Sequence, residues 1–224
     1  MARRKSGVWG LLVVLTVVAV WYLQHRPPST RVAIQPALET FNGCGMEGDA
    51  SSLAVRELNL LKNRYTSPEP QQIDPRATLA AMLEPGDDRV RWNDHHAAEI
   101  TGYVWEVKVG GVETVNCHAA DPPERDTHIE LVLDPMNGQE DRRVIVEVTP
   151  RSRTLAGQRG EDWSTPALRD HFHGRWVRVR GWLLFDTEHR DQSANTAPGR
   201  SRDWRATAWE IHPVTNLEVV DRPR

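Results

Sequence analysis

Positive charge is in short supply in this chain. Its 224 residues set 28 Lys and Arg against 31 Asp and Glu, a net charge of -3, so the body is not built to hold duplex nucleic acid by phosphate neutralisation. No glycine-rich phosphate loop, G-x-S-x-G elbow or H-E-x-x-H pair occurs, which removes the usual local signatures of nucleotide, acyl and zinc-peptidase chemistry. Cysteine is limited to Cys44 and Cys117. The rest of the composition is ordinary, with 39% hydrophobic and 26% charged residues, which excludes wholesale disorder and suits one domain with a tail.

Arg3, Arg4 and Lys5 precede an uncharged, mostly apolar run from Gly7 to Leu23, and polarity returns at Gln24-His25-Arg26. At about 1.5 Å per residue the run reaches roughly 25 Å, the short end of a spanning helix. It closes without a small-x-small cleavage site, and Trp9, Trp21 and Tyr22 stand where interfacial aromatics belong. Residues 1–23 therefore read as an uncleaved transmembrane anchor, with a cleaved secretory peptide as the alternative. The basic cluster ahead of the run favours a cytoplasmic N-terminus. That orientation implies a single-pass inner (plasma) membrane protein with its domain in the periplasm.

Residues 24–50 carry Pro27-Pro28, Pro36 and Gly43-Cys44-Gly45 and suit a linker. Residues 51–97 form a helical lead-in: Leu53, Val55, Leu58, Leu60 and Leu61 recur at helical spacing after a Ser51 or Ser52 cap, and Thr78–Leu83 is a shorter stretch. The charged end Lys62-Asn63-Arg64 is either part of a packed lid or a contributor to a site. From Ala98 the period becomes two. Strands are expected over 100–109, 127–133, 143–149, 176–185 and 205–212, with 112–117 continuing or returning after Gly110-Gly111. A helix runs from the Ser164 cap, with Pro166 in its first turn, to Phe172. Three strands, a helix and two strands resemble the order of the OB-fold, so a mainly β, five-stranded barrel is expected over 98–220, with a small sandwich as the alternative.

Several strings carry a second resemblance: Leu61-Lys62-Asn63-Arg64, Asn116-Cys117, Asp126-x-His128, Glu147-Val148-Thr149-Pro150-Arg151, Gly181-Trp182-Leu183 with Asp186 and His189, and Trp209-Glu210-Ile211-His212-Pro213-Val214. Together they resemble a bacterial family of small domains, and the resemblance brings no activity with it.

Alternation assigns faces. Ile129, Leu131 and Leu133 share one face, leaving Asp126, His128 and Glu130 on the other; Val144, Val146 and Val148 oppose Glu147; Trp209 and Ile211 oppose Glu210 and His212. One reading is the solvated side of a half-buried sheet. A second is a divalent metal site with His128, Glu130, Glu210 and His212 as ligands and Asp126 or Glu147 as base or supporting residue, suited to hydrolysis of an envelope phosphoester or glycan. Metal-free acid–base chemistry by Asp126 or Glu147 with His128 is a third.

The string 175–182 alternates valines with Trp176, Arg178, Arg180 and Trp182, a ladder able to stack sugars or bases. Its plainer reading is capping tryptophans and paired arginines. Arg151, Arg153 and Arg159 fall in a charged segment, 150–163, that reads as a loop able to grip an anion. Cys44 and Cys117 are an even pair in an oxidising compartment, so a disulfide is the default, with a reactive Cys117 beside His118 as the alternative. The function expected from all this is a binding or scaffolding module for an envelope glycan, oligonucleotide or protein partner, with a metal-dependent hydrolase second.

Overall fold

Val, Ile and aromatic residues alternating with polar ones build the architecture. The computed structural model describes residues 38–200 and 203–223, which belong to the second of two units, 1–37 and 38–224. The anchor expected at 1–23 lies outside them, and among the described residues no helix is long and apolar enough to cross a membrane. A small hairpin comes first, β1 (Thr40–Phe41) and β2 (Cys44–Gly45), followed by helices α1 (Leu53–Lys62) and α2 (Leu79–Met82). Then come β3 (Ala97–Val109), β4 (Thr127–Val132), β5 (Val144–Val148), α3 (Pro150–Gln158), α4 (Thr165–Phe172), β6 (Trp176–Phe185) and β7 (Trp209–Val219).

The five long strands close into a barrel in the order β3-β4-β5-β7-β6. Neighbours are antiparallel except at the seam of β5 and β7, which is parallel and registers a single pair, Val146 opposite Ile211. Ile100, Val104, Val107, Ile129, Leu131, Val146, Val179 and Leu183 belong to the buried core, together with Leu79 and Met82 of α2 and Leu168 and Phe172 of α4. β6 and β7 approach closely at Gly181, where an added Cβ would stand 2.3 Å from the Pro213 carbonyl oxygen.

Sequence and structure differ at four places. The expected tether of 24–50 ends earlier, because Leu38, Cys44 and Ala50 are buried. Residues 112–117 do not return as a strand: β3 stops at Val109, a 3-10 turn spans Thr114–Asn116, and Cys117 and His118 are left-handed. Residues 150–158 of the basic 150–163 segment are helix, capped by the Thr149 hydroxyl, which accepts from Ser152 N, with Pro150 at the first position. The last strand starts at Trp209 rather than Arg205 and continues through a cis His212–Pro213 bond to Val219.

Candidate functional site

Strand register brings the charged strings together. His128 and Glu147 are directly opposed across β4 and β5, and the Val146–Ile211 pair sets Glu147 beside His212 across the parallel seam. These side chains point away from the barrel interior, yet they are not solvated: Asp126, His128, Glu147, Glu210 and His212 are all buried. Ionisable groups from outside the strands meet them there. Lys62, at the end of α1, is 1% exposed and places its Nζ 3.0 Å from Glu113, 3.3 Å from Asp186 and 3.6 Å from Glu188. Arg205, fully buried, pairs with Glu210. Trp204 stacks on the His128 ring at 6.3 Å.

His128 Nε2 lies 2.9 Å from Glu147 Oε1, out of line for a hydrogen bond. Glu147 Oε2 is 3.6 Å from His212 Nδ1, and Asp126 Oδ2 is 3.6 Å from His212 Nε2. Glu210 Oε1 accepts a 3.1 Å hydrogen bond from His212 Nδ1. Both Asp126 oxygens, Glu147 Oε2, His212 Nε2 and Arg205 Nε and Nη1 are buried without any hydrogen bond, a concentration well beyond what folded interiors usually tolerate.

The electrostatics follow from burial set against close opposite charge. Burial disfavours an imidazolium at His212, but Glu147, Glu210 and Asp126 outweigh it and raise His212 to about 9. Burial pushes Asp126 up to about 6 despite the pull of His212. Burial acts in the same direction on Glu147, where His128 and His212 overcome it and hold the carboxyl below the ordinary range. Asp186 is held well below its ordinary value: burial opposes this, and Lys62 and His189 prevail, with His189 Nδ1 2.7 Å from Asp186 Oδ2.

Not every residue singled out in the sequence joins this centre. Glu130, expected as a ligand, is taken by Lys108 and by Arg143 at 2.8 Å. Glu210, also expected as a ligand, stands behind His212 and is clamped by Arg205. Among the described residues, Asp126, Glu147 and His212 are the group able to hold one ion, with one ligand atom from each lying within 4.8 Å of the others. Cys44 and Cys117 are joined in a disulfide, so Cys117 has no free thiol beside His118.

The tryptophan and arginine ladder is occupied by the protein itself. Arg180 pairs with Glu99 at 2.5 Å and Arg178 with Glu218 at 3.3 Å. Trp182 is buried beneath the Arg64 guanidinium and donates to the Thr66 carbonyl; Trp176 packs edge-on against Tyr103. A surface hollow of about 700 Å³ does border Arg178 and Thr101, but none of its lining residues belongs to the acid–imidazole centre. Arg151 is buried and donates to Leu38 O, Asn63 Oδ1 and Cys44 O, which holds the chain ahead of α1 against α3. Arg153 donates to the carbonyls of Pro123 and Arg125, and Arg159 pairs with Glu161.

Sequence reasoning missed Arg205, Trp204 and Glu113, and gave Lys62, Asp186 and His189 no defined role. Of these, only Lys62, Asp186 and His189 carried a signal, through the strings that contain them. No protein-family model and no curated protein matches the chain.

Proposed function

We propose that the chain is a membrane-anchored, extracytoplasmic OB-like domain that works as a binding module, taking its ligand at the covered centre of Asp126, Glu147 and His212. The strand order, with helices between the third and fourth barrel strands, supports the OB-like reading. The Cys44–Cys117 disulfide suits an oxidising compartment. One observation carries the binding role: four ligand-capable atoms of three adjoining side chains are buried and make no hydrogen bond, a state that costs about 1–3 kcal/mol per group unless something fills it.

A metal-dependent hydrolase is the second reading, favoured by His128 set against Glu147 at 2.9 Å as a base next to the centre. Burial weighs against it, since the Asp126, Glu147 and His212 side chains are 0 to 5% exposed and turnover would need the cover to open in every cycle, which binding needs only once.

The test is a thermal-shift screen of the full chain against divalent ions, oxyanions and envelope glycans. A ligand at 100 times its Kd adds about 2.7 kcal/mol, which raises Tm by roughly 5–10 °C for a domain of this size. The shift should vanish in His212→Ala. A flat screen, or a shift that survives that change, would overturn the reading, and turnover of a phosphoester or glycan would replace it with the hydrolase.

A further inference from the structure

We propose that Asp126, Glu147 and His212 together bind one divalent transition-metal ion, Zn²⁺ or Mn²⁺ by class. This names the ligand of the binding centre and rests on that reading.

Spacing is the first argument. His212 Nε2 and Asp126 Oδ2 stand 3.6 Å apart, too far for a hydrogen bond. Two ligand atoms each about 2.1 Å from one ion at a tetrahedral angle stand about 3.4 Å apart. One ligand atom from each of the three residues lies within 4.8 Å of the others, so side-chain shifts of about 1 Å bring the three to bonding distance of one ion.

Donor satisfaction is the second. Asp126 makes no hydrogen bond through either oxygen, and Glu147 Oε2 and His212 Nε2 make none. With His212 neutral these are acceptors clustered on acceptors, a pattern that a cation relieves.

Charge is the third. The contact chain His128–Glu147–His212–Glu210–Arg205, with Asp126 on His212, contains three carboxylates and one guanidinium. With both imidazoles neutral, the state in which they can ligate, it carries -2, which one divalent ion neutralises in place of the protons the imidazoles hold without it. A charge of that size is held at this depth only with such compensation.

Glu210 supplies the orientation. By accepting from His212 Nδ1 at 3.1 Å, it fixes the tautomer that leaves the Nε2 lone pair facing Asp126, as the outer carboxylate does behind a metal-bound imidazole. Arg205 in turn holds Glu210. On the other side His128 sits against Glu147 Oε1, which leaves Oε2 to the ion. One imidazole with two carboxylates suits Zn²⁺, Mn²⁺ or Fe²⁺. Ca²⁺ wants six to eight oxygens and Mg²⁺ an octahedral shell made largely of water.

The experiment takes the full chain, purified without a histidine tag and stripped with EDTA, and titrates it with Zn²⁺, Mn²⁺, Mg²⁺ and Ca²⁺ by calorimetry. One equivalent of Zn²⁺ or Mn²⁺ is expected to bind, with Mg²⁺ and Ca²⁺ much weaker. Asp126→Asn should weaken binding at least 100-fold. Glu210→Gln, which keeps all three ligands, should weaken it about 10- to 100-fold, and carries the test should Asp126→Asn fail to fold by near-UV circular dichroism. Arg178→Ala should titrate as wild type. No uptake by the wild type, or equal uptake by a folded Asp126→Asn or Glu210→Gln, overturns the metal. If metal fails while an oxyanion or glycan still shifts Tm through His212, the binding reading survives without the ion; if nothing shifts Tm, both fall.

Discussion

On β6 the outward-facing Arg178 and Arg180 meet Glu218 and Glu99 at the surface, Arg178 and Glu218 each about half exposed. On β4, β5 and β7 the outward-facing Glu147, Glu210 and His212, with Asp126 just ahead of β4, are buried. Both faces arise from the same alternation of valine or isoleucine with a charged residue. Lys62 from the end of α1, and Asp186 and Arg205 from the segment linking β6 to β7, come to one face, and the other is left to water. Ion pairs in water are worth about 0–1 kcal/mol. The same groups under cover lose their hydration and become interdependent. A charged strand face thus has no fixed energetic meaning until what lies over it is known.

The sharpest way to break the contrast is Lys62→Met. It strands Asp186 and Glu113 without their ammonium and should cost about 3–5 kcal/mol, read from the urea midpoint. Opening the disulfide with Cys44→Ala and Cys117→Ala releases residues 38–50 from the segment after β3. With the cysteines 73 positions apart in the sequence, the loss should be about 2–4 kcal/mol, measured as the difference in urea stability between oxidised and mutant chains.

Acidity separates the faces next. In the metal-free chain His212 titrates at about 9 when folded, above the ordinary 6.5. Its contribution is therefore complete below pH 6.5 and is lost as pH rises through about 9, up to about 3 kcal/mol. Urea unfolding at pH 6, 7.5 and 9 checks this, and equal stability across that range would show that the imidazole is not held by Glu147 and Glu210. The smallest effect belongs to the open face: Arg178→Ala should stay within about 0.5 kcal/mol of wild type, and a larger loss would erase the distinction.

How much could be read beforehand depended on range. Strand periodicity and the Ser164-x-Pro166 helix start are local signals, and α4 lies where they put it. Helix α3 was hidden by its polar, basic composition, although Thr149-Pro150 is itself a helix-start signal. Strand β7 was cut short by Pro213, which the cis bond accommodates within the strand. The alternation correctly separated Asp126, His128, Glu147 and His212 from the core, but their convergence required knowing that β5 lies beside β7. Their burial required pairings such as Lys62 with Asp186, which lie far apart in the chain and which no local pattern encodes. Glu130, expected as a ligand, is held by Arg143 and Lys108, and Glu210 by Arg205 only five residues away, pairings that alternation along a strand does not encode.

The parallel seam, with its single registered pair of Val146 and Ile211, is where the main chain does least to close the cylinder. Glu147 lies on one bank of that joint and His212 on the other, so a ligand held by both acts as a clasp across it. Barrel closure and occupancy then become one equilibrium. Breathing of the joint would be governed by supply of the ligand, and a change in its concentration would register as mechanical stiffness along the β5–β7 edge.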